Sequence, residues 1–329
     1  MGSHVFGPVP SRRLGRSLGV DLVPFKTCTF DCIYCQLGRT TCKTTRRSEW
    51  VPLDAVLRDV EANLDKAPDF ITLSGSGEPT LYSRLEELIG GVKRLTDVPV
   101  AVLTNGSLLW RPEVRAALGA ADLIAPSLDA GDERLFRHVN RPHDEITFDR
   151  LVEGLVRFRE EYKGRYWLEV FLLGGIAALP AEVEKIARIV RQINPDRVQV
   201  NTITRPPAEP YAFRVPPAEL EELAAMLGDR AEVIAEHRPS AETADFAAHG
   251  EDIVALLRRR PCTVEDIAQG LRLHRSEVVK CVDKLVERKV VEVRFRDRTP
   301  YYRASAGAPD AHASRRRTSD PGNCHDDLP

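Results

Sequence analysis

Cys28-Thr29-Phe30-Asp31-Cys32-Ile33-Tyr34-Cys35 is the stretch on which the reading of this chain turns. Cys42 follows closely, and Cys262, Cys281 and Cys324 lie far downstream. Seven cysteines with four bunched near the start make a poor disulfide framework and read instead as a metal site. Structural zinc takes four ligands, usually as two pairs, and no second C-x2-C pair exists elsewhere in the chain. Iron–sulfur clusters are normally held by four cysteines. Three on one loop would leave one iron without a protein ligand, and in an enzyme an open position is where substrate or cofactor binds.

Working outward from the loop, residues 19–24 read as a short buried strand that delivers it. Residues 52–66 carry apolar side chains near helical period. Strands are expected at 70–73, 98–103, 121–126, 167–173 and 197–203, and helices at 85–95, 113–118, 148–162 and 181–193. Apolar, β-rich runs separated by amphipathic helices imply parallel strands, since each crossover needs a helix. Six such units fall short of the eight of a closed barrel. Periodicity alone leaves open a doubly wound sheet or an incomplete barrel. The chemically telling residues, at 75–80, 104–106, 127–129 and 201–205, all follow strand ends, the face on which α/β proteins build their sites.

Cys28, Cys32 and Cys35, with aromatic Tyr34 before the last, match the C-x3-C-x2-C signature, and the chain resembles the radical SAM superfamily. That resemblance implies a partial (β/α)6 TIM-like barrel, with the three cysteines holding a [4Fe–4S] cluster. It also implies S-adenosylmethionine (SAM) as cofactor, cleaved reductively to a 5′-deoxyadenosyl radical that abstracts hydrogen from substrate. Gly75-Ser76-Gly77-Glu78-Pro79-Thr80 resembles the family's Gly-Gly-Glu turn beside the SAM ammonium. Glycines permit close backbone approach, and a carboxylate suits a cation. Asn105 in Thr104-Asn105-Gly106, and Ser127 and Asp129 in Ser127-Leu128-Asp129, resemble positions near the SAM ribose and carboxylate. Taken alone, each of these is an ordinary turn or cap. A one-electron donor such as flavodoxin or ferredoxin is the implied partner. The general look resembles wyosine-type tRNA-modifying members and their bacterial relatives, but extra cysteines for a second cluster are not evident. RNA is the expected substrate. The alternatives are a maturase of a protein or peptide and a non-enzymatic iron–sulfur regulator that binds DNA.

Candidate substrate residues are Arg12, Arg13 and Arg16, which precede the first strand and could hold phosphate or carboxylate, and Asn201 and Arg205, which end the last. A basic solvated arm is the plainer reading of the arginines. Residues 10–50 carry 8 Lys/Arg against 3 Asp/Glu, although the whole chain has net charge −2.

The expected organisation is a radical SAM barrel over 1–215, a connector with a helix and a strand over 216–249, a winged helix-turn-helix over 250–303 and a disordered tail over 304–329. Residues 250–260, 263–271 and 274–287 read as three helices, and 289–303 as a two-stranded wing. Residues 251–303 carry 13 Lys/Arg against 9 Asp/Glu. Ser276, Lys280 and Lys284 on the third helix, with Arg294, Arg296 and Arg298 on the wing, would meet RNA, DNA or a protein substrate. At 43% hydrophobic and 29% charged, the chain is neither disordered nor a membrane protein in composition. No apolar run reaches the roughly 18–20 residues of a spanning helix. Cytoplasm is the expected compartment.

Overall fold

The computed structural model describes residues 4–11, 13–204, 207–234, 250–271, 278, 282, 285–286, 288–296 and 299–305. An N-terminal hairpin pairs β1 (Val5–Ser11) antiparallel with β2 (Gly15–Val20). Two two-residue strands, β3 (Thr27–Cys28) and β4 (Cys42–Lys43), pair with each other across the cysteine loop. The main sheet continues with β5 (Phe70–Leu73), β6 (Val100–Thr104), β7 (Leu123–Pro126), β8 (Arg165–Phe171), β9 (Arg197–Asn201) and β10 (Ala231–Val233).

Its order is β1-β2-β5-β6-β7-β8-β9-β10, parallel from β2 onward. A doubly wound sheet reverses its strand order partway. Here each parallel strand is laid beside the one before it. Right-handed crossovers in one direction put the helices on one face of the sheet. The helices are α1 (Leu53–Glu61), α2 (Leu85–Leu95), α3 (Pro112–Leu118), α4 (Glu133–Val139), α5 (Phe148–Glu161), α6 (Pro180–Ile193) and α7 (Pro217–Ala225). Asp132 caps α4 at the Leu135 amide, Thr147 caps α5, and Asn194 ends α6 in the left-handed conformation.

Alternation along the strands separates two faces. Leu18, Ile71, Val100, Val102, Leu168, Val170, Val198 and Val200 are buried with Val60, Leu88, Leu155 and Ile186 of the helices. On the opposite face Leu14, Ala101, Leu123, Ala125 and Trp167 form a smaller cluster of their own. The sheet is thus layered by helices on one side and plugged by side chains on the other.

Three elements differ from expectation. β1 is hidden in sequence by Pro8 and Pro10, which an edge strand tolerates because one side of its backbone needs no partner. The first parallel strand runs over 15–20 rather than 19–24. The seven-residue α4 is too short for a periodic signal. The connector helix and strand are present as α7 and β10, and β10 pairs with β9, which makes that strand part of the sheet.

Downstream, α8 (Gly250–Arg259) and α9 (Val264–Leu271) precede a hairpin of β11 (Val291–Arg296) and β12 (Thr299–Ala304). Ile253, Leu256, Leu257, Ile267, Val278, Val282 and Val291 form their own buried cluster, and Phe6 of β1 packs against it. The helix expected at 274–287 falls largely outside the described residues, as do 237–249 and 306–329. Among the described residues no helix is long and apolar enough to cross a membrane.

Candidate cluster and cofactor site

The cysteine loop leaves the end of β2 and is fixed by backbone bonds from an unexpected quarter. Asp31 donates its amide to the Asn140 carbonyl at 3.0 Å, Ile33 to Val139 at 2.9 Å, and His143 to Thr29 at 2.9 Å. Buried Phe30 and Ile33 anchor the loop in the core. Turns from Cys35 N to Cys32 O and from Gly38 N to Cys35 O, each 3.1 Å, fold the last cysteine back toward the second.

Burial pushes the Cys28 thiol up to about 12, with Glu78 adding to it. Burial also raises Cys32, reinforced by Asp129 and by the two other cysteines, and it raises Cys35. Three thiols that oppose one another's ionisation need compensating positive charge before they become thiolates, which an iron group provides. Two side-chain amides face the sulfurs: Asn105 Nδ2 lies 3.6 Å from Cys28 Sγ, and Asn140 Nδ2 lies 3.5 Å from Cys32 Sγ. Donors to sulfur are what ligating thiolates use. The residues present therefore fit a cluster.

The turn after β5 is pressed against this loop. A Cβ on Gly77 would collide with the Thr27 carbonyl oxygen, and Gly75 adopts φ +138°. Ser76 accepts the Lys26 amide at 2.7 Å, and Glu78 donates its amide to Thr27 at 3.1 Å. Pro79 opens a short 3-10 turn over Pro79–Leu81. The buried Glu78 carboxylate accepts from Thr80 N at 3.0 Å, Thr80 Oγ1 at 2.6 Å, Thr104 Oγ1 at 2.6 Å and Asn105 N at 2.8 Å. Both its oxygens are committed within the protein, so Glu78 acts as a strut between the turns after β5 and β6. Burial raises its pKa against the pull of these donors.

Asp129, after β7, accepts from Tyr34 OH at 2.5 Å, from Asn140 Nδ2 at 2.8 Å and from Phe171 N at 3.1 Å. The Tyr34 ring stacks on Phe171 at 4.1 Å. Burial is the main reason the Asp129 carboxyl is pushed up to about 6. Ser127 bridges to Glu169 across the sheet.

Of the candidate substrate residues, Arg13 and Asn201 meet. Arg13 Nη2 lies 2.8 Å from Glu169 Oε1, and Asn201 Nδ2 donates to the same oxygen at 3.1 Å. Arg16 is placed differently: it is the second residue of β2, at the sheet end remote from the cysteine loop, and its guanidinium donates to the Ala67 carbonyl at 2.7 Å. Arg12 and Arg205 lie outside the described residues.

Residues 22–190 match the description "Radical SAM superfamily". The chain belongs to the radical SAM superfamily. It is therefore a radical SAM enzyme, and such enzymes generally require an electron donor. A UPF0026 protein of Methanocaldococcus jannaschii is 33% identical over 322 residues, covering 94% of this chain and 98% of that protein. A protein of Brachyspira hyodysenteriae named GTPase Obg is 42% identical over 289 residues, covering 86% of this chain. The present chain spans 42% of that longer relative. A radical SAM methyltransferase from Sphaerobacter thermophilus superposes with a TM-score of 0.49 at 19% identity, covering 66% of each chain.

Two residues around the cysteine loop of this radical SAM enzyme, Asn140 and Glu169, carry no motif. Asn140 is the C-cap of α4, where an asparagine is ordinary, so its place beside the cysteine loop left no separate signal. Glu169 offered one: a carboxylate in the middle of the apolar run Trp167-Leu168-Glu169-Val170-Phe171 must face something polar.

Proposed function

We propose that this radical SAM enzyme holds a [4Fe–4S] cluster on Cys28, Cys32 and Cys35 and modifies RNA. When bound, the cluster supplies the electron that cleaves SAM to a 5′-deoxyadenosyl radical, the hydrogen-abstracting species. The sheet is read as the wall of a partial (β/α)6 barrel, with the cluster at the carboxyl ends of its strands. Gly75, Gly77, Glu78 and Pro79 shape the turn that receives the SAM ammonium. Asn105, Ser127 and Asp129 face its polar groups, and Tyr34 orients Asp129. Arg13 and Asn201, gathered on Glu169, line the substrate side.

The observation that carries this reading is the convergence on one cysteine loop of the turns after β5, β6 and β7, through Glu78, Asn105 and Asp129. A redox sensor needs no such convergence, and the regulator reading is unsupported. Anaerobically reconstituted, reduced protein should release 5′-deoxyadenosine from SAM. A protein that holds a full cluster and never cleaves SAM under strong reductant would overturn the reading.

RNA as substrate rests on the C-terminal unit, read as a winged helix. Phe295 is 74% exposed on β11, and Arg294, the preceding residue of that strand on its opposite face, is exposed as well. An aromatic ring held out to solvent suits the stacking of an unstacked base. RNA binding should weaken steeply with salt as phosphate contacts release counterions. Absence of RNA binding even at low salt would favour a peptide substrate.

A further inference from the structure

Asp21, just past the end of β2, is buried, and its carboxylate takes hold of the turn after β5 from behind. Oδ1 accepts the Ser76 amide at 2.6 Å and Oδ2 the Ser76 hydroxyl at 2.9 Å. A Cβ on Gly75 would fall onto Oδ1, so the turn is wrapped closely around this carboxylate. A carboxylate this deep needs a counter-charge. It comes from Arg259, the last residue of α8, whose guanidinium pairs with Asp21 and donates to Ser76 Oγ at 2.9 Å. The same guanidinium lies over the Phe6 ring at 5.3 Å, and Phe6 packs into the C-terminal cluster. α8 and α9 both lie against β1.

We propose that Arg259 is a positioning residue for SAM, and that the C-terminal unit completes the SAM-binding turn from outside the barrel. This rests on the assignment of residues 75–78 to SAM. Ser76 is the junction. On one side it is gripped by Asp21 and Arg259. On the other its carbonyl accepts the Lys26 amide, two residues before Cys28. Removing the guanidinium leaves Asp21 buried without its cation, and the turn opens to hydrate it. Because binding free energies are reciprocal, a macromolecule that engages the C-terminal unit and reseats α8 changes SAM affinity, and SAM changes affinity for that macromolecule by the same factor.

The test uses full-length Arg259→Gln and Arg259→Lys with two readouts. The first is amide hydrogen exchange at Ser76 in protein without cluster or SAM. The second is equilibrium binding of SAM to anaerobically reconstituted protein of measured iron content. Arg259→Gln should speed exchange at Ser76 and weaken SAM binding by about tenfold or more, the loss of a charge-assisted hydrogen bond, at unchanged iron. Arg259→Lys keeps the charge but not the branched geometry and should recover part of both. Unchanged Ser76 exchange and unchanged SAM affinity in a folded, iron-replete Arg259→Gln protein would overturn the proposal. Wild-type protein with full iron that binds no SAM would instead overturn the assignment of the turn, and Ser76 exchange would still report whether Arg259 holds it.

Discussion

The Tyr34 hydroxyl donates to the Asp129 carboxylate at 2.5 Å, tying the cysteine loop to the end of β7 across 95 residues of chain. Asp129 also accepts from Asn140 and from the Phe171 amide. Of about four acceptor sites on a carboxylate, these bonds leave about one for a ligand hydroxyl.

On the proposed assignment of Asp129 to SAM, that arrangement makes SAM binding pH-dependent. Burial pushes the Asp129 carboxyl up to about 6, so the charged form is favoured above that value and the protonated form below it. As acceptor for a ribose hydroxyl it contributes fully above that value, and its contribution is lost as pH falls through it. Wild-type affinity, measured by equilibrium dialysis, should drop on the acid side. Asp129→Asn should bind SAM more weakly, with the acid step gone. An identical step in the variant would assign the titration to another group.

Replacing any one of Cys28, Cys32 and Cys35 by Ala should abolish the cluster. Wild-type protein should carry about four irons and four sulfides per chain. Cys42→Ala should keep its iron, since Cys42 sits on β4 outside the C-x3-C-x2-C segment. Equal iron loss in the Cys42 variant would show that the ligand set is wrong.

Glu78→Gln retains the shape of the strut but not its acceptors. Four donors converge on the two carboxylate oxygens, and an amide would turn an NH2 group toward some of them. The expected cost is about 1–3 kcal/mol of folding stability, read from urea unfolding of the cluster-free protein, with weakened SAM binding and no loss of iron ligands. Wild-type stability in the variant would mean that the two turns are held together by other contacts.

Asn140→Leu removes the amide that faces both Cys32 Sγ and Asp129. Hydrogen bonds to cluster sulfurs favour the reduced, more negative state. A redox titration followed by electron paramagnetic resonance should therefore give a more negative potential than wild type. A potential unchanged at full iron occupancy would confine Asn140 to holding Asp129.

Much of the site was legible because its chemistry is encoded locally. Three cysteines at fixed spacing, two glycines and a glutamate in one turn, and Asn105 and Asp129 after strand ends can each be read within a few residues. The α/β alternation was legible because helix and strand periods differ. What escaped was short or long-range. β1 is masked by its prolines, α4 is only seven residues long, and Asn140 reaches the loop from the C-cap of that short helix.

Sequence by itself determined the cysteine spacing, the number of strand–helix units up to the sheet edges, and the family. Tertiary structure decided which distant residues meet. Arg13 and Asn201 share Glu169 because β8 and β9 are neighbours and alternation turns Glu169 and Asn201 to the same face, while Arg16 remains at the far end. Asp21, Ser76 and Arg259 meet because α8 seats against β1, the edge of the same sheet. Local spacing follows from covalent connectivity, but such meetings depend on strand order and on which face each side chain takes, and neither is written in any short segment of the chain.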